Sequence, residues 1–224
     1  MQKPKFENPH SRKQFQIDRV AFFSDAVIAI AITLMVLEIK IPPLGNGPIK
    51  DIISKYGGPF LLHGAALCIC FVVIGNLWIK HHSLYEHIIN YNRALIKSNL
   101  YFLLTVVLLP ISISFMFEEG SPMSLKLFVY FVNIGLCNLT YFFMLWVVFH
   151  QKNNFSAFSE KELIEQNKYG TLFMSCVFFM VGLFALASLR WFYMPLLLLP
   201  LVRIIMIVRE KIKKQKAISE KAAD

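Results

Sequence analysis

Apolar residues gather along the chain in stretches of about 20, long enough for a helix to cross roughly 30 Å of hydrocarbon at about 1.5 Å per residue. Six spans are expected, near residues 19–39, 59–79, 97–117, 125–149, 169–189 and 191–208. Pro195 and Pro200 interrupt the last, and Arg203 stands near its end. Membrane helices tolerate proline where neighbours take up the freed carbonyl. Two connections are longer than the others. "PPLGNGPIKDIISKYGGP", residues 42–59, reads as an outer loop rich in Pro and Gly with room for a brief helix, and residues 150–168 read as an inner connection. Within the second, Ser159 to Glu162 has the form of a helix start, a serine cap with acidic residues in the first turn. No motif recurs, so the spans form one unit. The expected fold class is an all-α integral membrane protein with six transmembrane helices, preceded by a segment 1–18, occupying 19–208, and followed by a basic tail 209–224.

Composition agrees with that pattern. At 56% hydrophobic and 17% charged, 224 residues carry more apolar side chains than a soluble core of this size buries. Residues 1–18 are polar and basic, without a short apolar run and small-residue cleavage site, so the first span is expected to be retained. If the N-terminus is cytoplasmic, eighteen of the 23 lysines and arginines fall in inner segments and five outside. By the positive-inside rule both termini are cytoplasmic, in a multi-pass protein of the cell membrane. Topology then accounts for the net charge of +9, and no nucleic-acid partner is expected. Cys68, Cys70, Cys137 and Cys176 all lie in apolar spans and read as small buried hydrophobes. Cys68 and Cys70, two apart on a helix, point in different directions and suggest neither a disulfide nor a metal pair.

The polar residues of the first span, "RVAFFSDAVIAIAITLMVLEIKIP" from Arg19 to Pro42, invite a chemical reading. At about 100° per residue, with Arg19 at zero, Phe23, Ala26, Ile30, Thr33, Leu34 and Leu37 fall within about 60° of it and form one stripe. Ser24, at about 140°, and Asp25, at about 240°, face elsewhere. Asp25 sits about 9 Å of helix rise inside the span, where an unpaired carboxylate costs roughly 2.5–3.5 kcal/mol. Partners are available at the inner end of the second span, where Trp78, His81, His82 and Tyr85 share one side at helical spacing. The plain alternative is that Ser24 and Asp25 only cap a helix end. Apolar residues spaced like Ile30, Leu34 and Leu37 are also usually lipid-facing or packed. Asn76 and Asn99 are expected to bond between helices near the inner network, and Asn133 and Asn138 to serve packing. His63 reads as structural, and Glu38 as a surface carboxylate beside Lys40 at the outer mouth.

With those residues in view, a family resemblance emerges. Arg19, Phe23, Ser24 and Asp25 match the R-x-x-x-F-S-D signature of the transmembrane protein 175 family of potassium channels. Trp78 with His81 and His82, then Arg93, Asn99 and Leu108 to Pro110, also resemble it. The resemblance implies a single-unit, prokaryotic-type channel without enzymatic activity or cofactor. It further implies a homotetramer in membrane lipid, with four copies of the first helix around a pore for K⁺ and, less favourably, other monovalent cations. It places Ile30, Leu34 and Leu37 at an apolar constriction and the Thr33 hydroxyl between those layers. Arg19, Phe23, Ser24, Asp25, Trp78, His81 and His82 would form a network that fixes the pore helix. Arg19 shares the azimuth of the stripe and could instead turn aside at the inner mouth. No TVGYG-like segment occurs, which excludes a carbonyl-loop filter of the common kind and leaves side chains to line a pore.

Two readings from other classes stand beside this one. A secondary transporter would use an intramembrane Asp/His network, though transporters usually show paired repeats and helices broken at the midplane. An intramembrane enzyme would use Asp25, His81, His82 and His87 as metal ligands or acid-base groups. His82 and His87 are five apart, a poor match to the four-residue spacing of a helical zinc pair.

Overall fold

A computed structural model describes residues 9–37, 48–90, 92–149, 161–198 and 200. All regular structure in it is helical: α1 (Pro9–Leu37), α2 (Ile49–Glu86), α3 (Arg93–Met116), α4 (Met123–Phe149), α5 (Lys161–Ala187) and a closing 3₁₀ turn, Met194–Leu197. Among the described residues, five helices are long and apolar enough to cross a membrane.

Their ends follow local chemistry. Asn92 caps α3, its Oδ1 accepting from the Leu95 amide at 2.9 Å. The α3–α4 turn passes through Gly120 at φ +86°, a left-handed conformation that costs glycine nothing sterically. After Pro122, whose carbonyl accepts from the Leu125 amide at 3.0 Å, α4 begins. Pro110 lies buried inside α3 without ending it, consistent with its place in a membrane helix.

Three expectations about the connections change. The segment 42–59 is helical from Ile49 onward, through the Gly57–Gly58 pair, and is the start of α2 and not a separate brief helix. At 38 residues, α2 has a rise of about 57 Å, which exceeds the hydrocarbon thickness. The fifth helix starts earlier than 169, at Lys161, next to the serine-acidic signal; Ser159 and Glu160 lie outside the described residues. The expected sixth span begins as turns and the 3₁₀ helix, with Pro195 in its first turn. From 201 on, including the tail 209–224, that region lies outside the described residues.

Within the subunit, α4 packs most extensively on α5 and α3, α3 also meets α1, and α2 leans on α1 while barely touching α3 or α4. Half of the apolar window of α3 and of α4 is buried, against 22% for α1 and 17% for α2. The core runs along α3 and α4 through Phe102, Val106, Leu109, Met144 and Leu145. In lipid, packing, hydrogen bonds and close approach hold helices together, because apolar side chains are already in an apolar solvent. The α4–α5 pair uses all three. Ser175 Oγ donates to the Gly135 carbonyl at 2.8 Å, and Cβ atoms at Gly135 and Gly182 would meet Phe179 at 3.2 Å and Val132 at 3.3 Å.

Gly182→Val should therefore lower the melting temperature of the purified protein, at an overpacking cost of about 1–3 kcal/mol. Gly75→Ala, whose new Cβ meets nothing within 4 Å, should leave it unchanged or raise it. Thermal unfolding in detergent, read by loss of the size-exclusion peak, checks both; equal melting temperatures would show that α4 and α5 have room to give.

Candidate functional site

On α1 the buried positions Ile17, Ser24, Ile28, Ala31 and Met35 form one face, at the three-, four- and seven-residue steps of a helix that touches neighbours on one side. Ser24 is the polar member of that face. Its hydroxyl donates to the Val20 carbonyl one turn back at 2.8 Å and accepts from Asn99 Nδ2 on α3 at 2.9 Å. The other end of the Asn99 amide, Oδ1, stands 2.8 Å from His81 Nε2 on α2. A carbonyl oxygen only accepts, so His81 donates from Nε2. Ser24, Asn99 and His81 are all fully buried, and the amide ties three helices together.

Aromatic rings hold the histidine in place. His81 stacks on Tyr85, with centroids 4.5 Å apart, and lies nearly parallel to Phe102 at 5.5 Å. Tyr141 of α4, in contact with Phe102, donates its hydroxyl to the Lys80 carbonyl at 2.8 Å. That bond pins the C-terminal part of α2 to α4.

Asp25 belongs to a second line of contacts, at the subunit surface. Its Oδ1 accepts from Trp78 Nε1 at 2.8 Å. Trp78 in turn stacks on His82 at 5.4 Å, and His82 Nε2 lies 3.4 Å from Glu86 Oε1. The indole N–H thus gives the carboxyl group a donor from α2.

The structure separates the residues that the sequence grouped as one network. Ser24 and His81 meet through Asn99, while Asp25, Trp78 and His82 form the outer line. Arg19 and Phe23 are exposed, and Arg19 makes no hydrogen bond or ion pair among the described residues. On the same helix Ile30, Thr33, Leu34 and Leu37 are also exposed within the subunit. Thr33 Oγ1 donates to the Ile30 carbonyl at 2.9 Å, so its lone pairs remain free.

Other expected sites fall out differently. Asn76 is exposed and bonds back to Val72 of its own helix at 2.8 Å, so it does not bridge helices. Asn133 does, donating to Ser112 on α3 at 2.7 Å, while Asn138 bonds back to Ile134. Cys70 and Cys137 are buried, but Cys68 and Cys176 face the subunit surface. His63 stacks on Phe117, and Glu38 lies outside the described residues. His87 Nδ1 stands 2.6 Å from the Ser83 carbonyl. Among the described residues, no three His, Cys, Asp or Glu side chains converge as a metal site. Sequence reasoning missed Tyr141, whose only signal was a phenol in the C-terminal half of an apolar span.

Five apolar helices joined by buried polar cross-links define a multi-pass helical membrane protein. Residues 19–110, which hold both lines of contacts apart from Tyr141, match the family described as endosomal/lysosomal potassium channel TMEM175. A potassium channel of Streptomyces collinus is 39% identical over 92 residues, 41% of this chain and 43% of that one. A potassium channel of a Chryseobacterium species is 32% identical over 95 residues, 42% and 45% of the two chains. The aligned region thus spans less than half the length of either relative. The fold is similar to the crystal structure of a lysosomal potassium-selective channel TMEM175 homolog from Chamaesiphon minutus, with a TM-score of 0.63 at 19% identity, covering 87% of this chain and 97% of that one. Over residues 19–110 the chain is thus similar to the TMEM175 family, and its overall fold is similar to that of a bacterial homolog.

Removing the Asn99 amide leaves Ser24 and His81 each short of a partner. Asn99→Ala should destabilise the protein by about 0.6–1.7 kcal/mol, the range of interhelical bonds in lipid, while Asn76→Ala should be near neutral. Paired melting curves check this. Equal shifts would mean that the amide does not tie the helices.

Proposed function

We propose that the protein is a K⁺-permeable cation channel, assembled as a homotetramer with α1 of each subunit lining a central pore. The observation that carries this reading is the division of α1 into two sides. One is anchored to α2 and α3 through Ser24 and Asp25; the other presents Ile30, Thr33, Leu34 and Leu37 uncovered. The bacterial relatives named as potassium channels supply the permeant ion.

On this reading, rings of Ile30, Leu34 and Leu37 set the pore width and close it by dewetting, since alkyl groups cannot coordinate a cation. Thr33 offers hydroxyl oxygens between those layers, its proton already committed to the Ile30 carbonyl. Without a carbonyl-lined loop, selectivity for K⁺ over other monovalent cations is modest. Ser24, Asp25, Trp78, His81 and His82 hold the pore helix and do not touch the ion, and Arg19 and Phe23 sit at the inner mouth. The protein needs no cofactor and catalyses no reaction. It resides in the cell membrane with both termini cytoplasmic, a reading that the skewed lysine and arginine distribution supports.

Reconstituted bilayer recording under a K⁺/Na⁺ gradient tests the reading directly. Steady single-channel current with a K⁺-favouring reversal potential is expected, and saturable coupled flux would replace the channel with a transporter. Ile30→Asn should hydrate the constriction, raise conductance and lower the K⁺ preference. Unchanged current and reversal potential in an intact tetramer would move the constriction elsewhere. Asp25→Asn and Asp25→Ala should reduce oligomer retention and melting temperature before they alter selectivity, because a charge-assisted hydrogen bond worth about 1.5–3 kcal/mol is weakened or lost. A stable tetramer with altered selectivity would put Asp25 in the ion path.

A further inference from the structure

We propose that the groove between α2, α3 and α4 binds the acyl chain of a membrane lipid. It encloses about 120 Å³ and is lined by Ala66, Ile69 and Cys70 of α2, Ile113 and the adjoining Phe117 at the end of α3, and Tyr130 of α4. It exists because α2 rests on α1 and scarcely meets α3 or α4. The stacked rings of His63 and Phe117, 3.9 Å apart, bridge α2 to the end of α3 beside it.

The lining decides what kind of occupant fits. Its polar atoms, Cys70 Sγ and Tyr130 Oη, stand 3.4 Å apart and bond each other. A trapped water needs two to four polar partners, and the surface that lines the groove is almost wholly apolar. Its volume is close to the ~150 Å³ of a dry engineered cavity that admits benzene. An apolar guest therefore suits it. The groove lies in the spanning part of the fold, with Tyr130 seven residues into α4 and Ile113 three residues from the end of α3. Ile69 forms an exposed lip, whereas Ile113 is buried inside. An apolar opening at that depth faces acyl chains, and a chain that enters recovers the dispersion contacts an empty slot forfeits. A narrow slot also suits a flexible unbranched chain better than a branched side chain from another copy. The site depends on embedding in a membrane and not on ion conduction.

The full-length protein, reconstituted in phosphatidylcholine vesicles containing a diazirine-tailed phosphatidylcholine, is irradiated and its adducts are mapped by mass spectrometry. Adducts are expected at Ile113 and Tyr130 as well as at Val72, which is exposed outside the groove. Ala66→Trp fills the groove and should abolish the first two while sparing Val72; should that variant not assemble, Ala66→Leu takes its place with partial loss. Labelling of Val72 without Ile113 or Tyr130 would overturn the proposal. So would groove adducts that persist undiminished in the filled variant. Disulfide-linked pairs formed by Ile69→Cys in a Cys68→Ser, Cys176→Ser background would assign the groove to a second copy of the chain instead.

Discussion

A hydroxyl, an amide and an imidazole inside a bilayer have no water to fall back on, so each must find a partner in the protein or lose several kcal/mol. The fold around α1 answers that constraint with one side chain. Asn99 offers a donor and an acceptor on opposite sides of a single amide, and uses one on Ser24 and the other on His81. Three helices from different parts of the sequence are thereby held in one rotational setting. Rotating α1 by the 100° that separates neighbouring residues would take Ser24 out of reach of Asn99.

The bond also determines which side of α1 is left over. Apolar packing alone specifies helix rotation weakly in lipid, since every apolar face is equally content against acyl chains. A buried polar contact is what makes one face unique. With Ser24 turned to α3 and Asp25 turned to Trp78, the face carrying Ile30, Thr33, Leu34 and Leu37 points away from the subunit. Covalent neighbours in the signature thus do different work. The serine fixes the inner contact, and the aspartate, one residue on, fixes a contact at the subunit surface.

Much of this was legible in the sequence, for reasons that differ by feature. Spans are long apolar runs, and α3 and α4 appear within four residues of where hydropathy places them, whereas α1, α2 and α5 begin eight to ten residues earlier, in polar turns that hydropathy does not register. The Cys68–Cys70 pair splits between surface and interior because residues two apart lie about 200° apart on a helix. Trp78 was one of the donors that helical spacing put forward for Asp25. Asn76 and Asn99 looked alike because both are amides in apolar runs, and only the azimuth of each helix against its neighbours tells them apart. The start of α2 was hidden by composition. Gly57 and Gly58 weaken a helix by about 1 kcal/mol each, yet the flanking turns carry the helix through them.

Burial is distributed unequally, and the inequality is physically informative. The α3–α4–α5 group is a self-sufficient scaffold, with Asn133 and Ser112, Ser175 and Gly135, and two close-approach glycines joining it internally. Of the other two helices, α1 buries one face from Ile17 to Met35, whereas α2 is joined to the scaffold mainly near its C-terminal end, by the Asn99 amide and by Tyr141 on the Lys80 carbonyl. Toward the other end α2 meets α3 through the stacked rings of His63 and Phe117, and the apolar groove opens beside that contact because α2 otherwise scarcely touches α3 or α4.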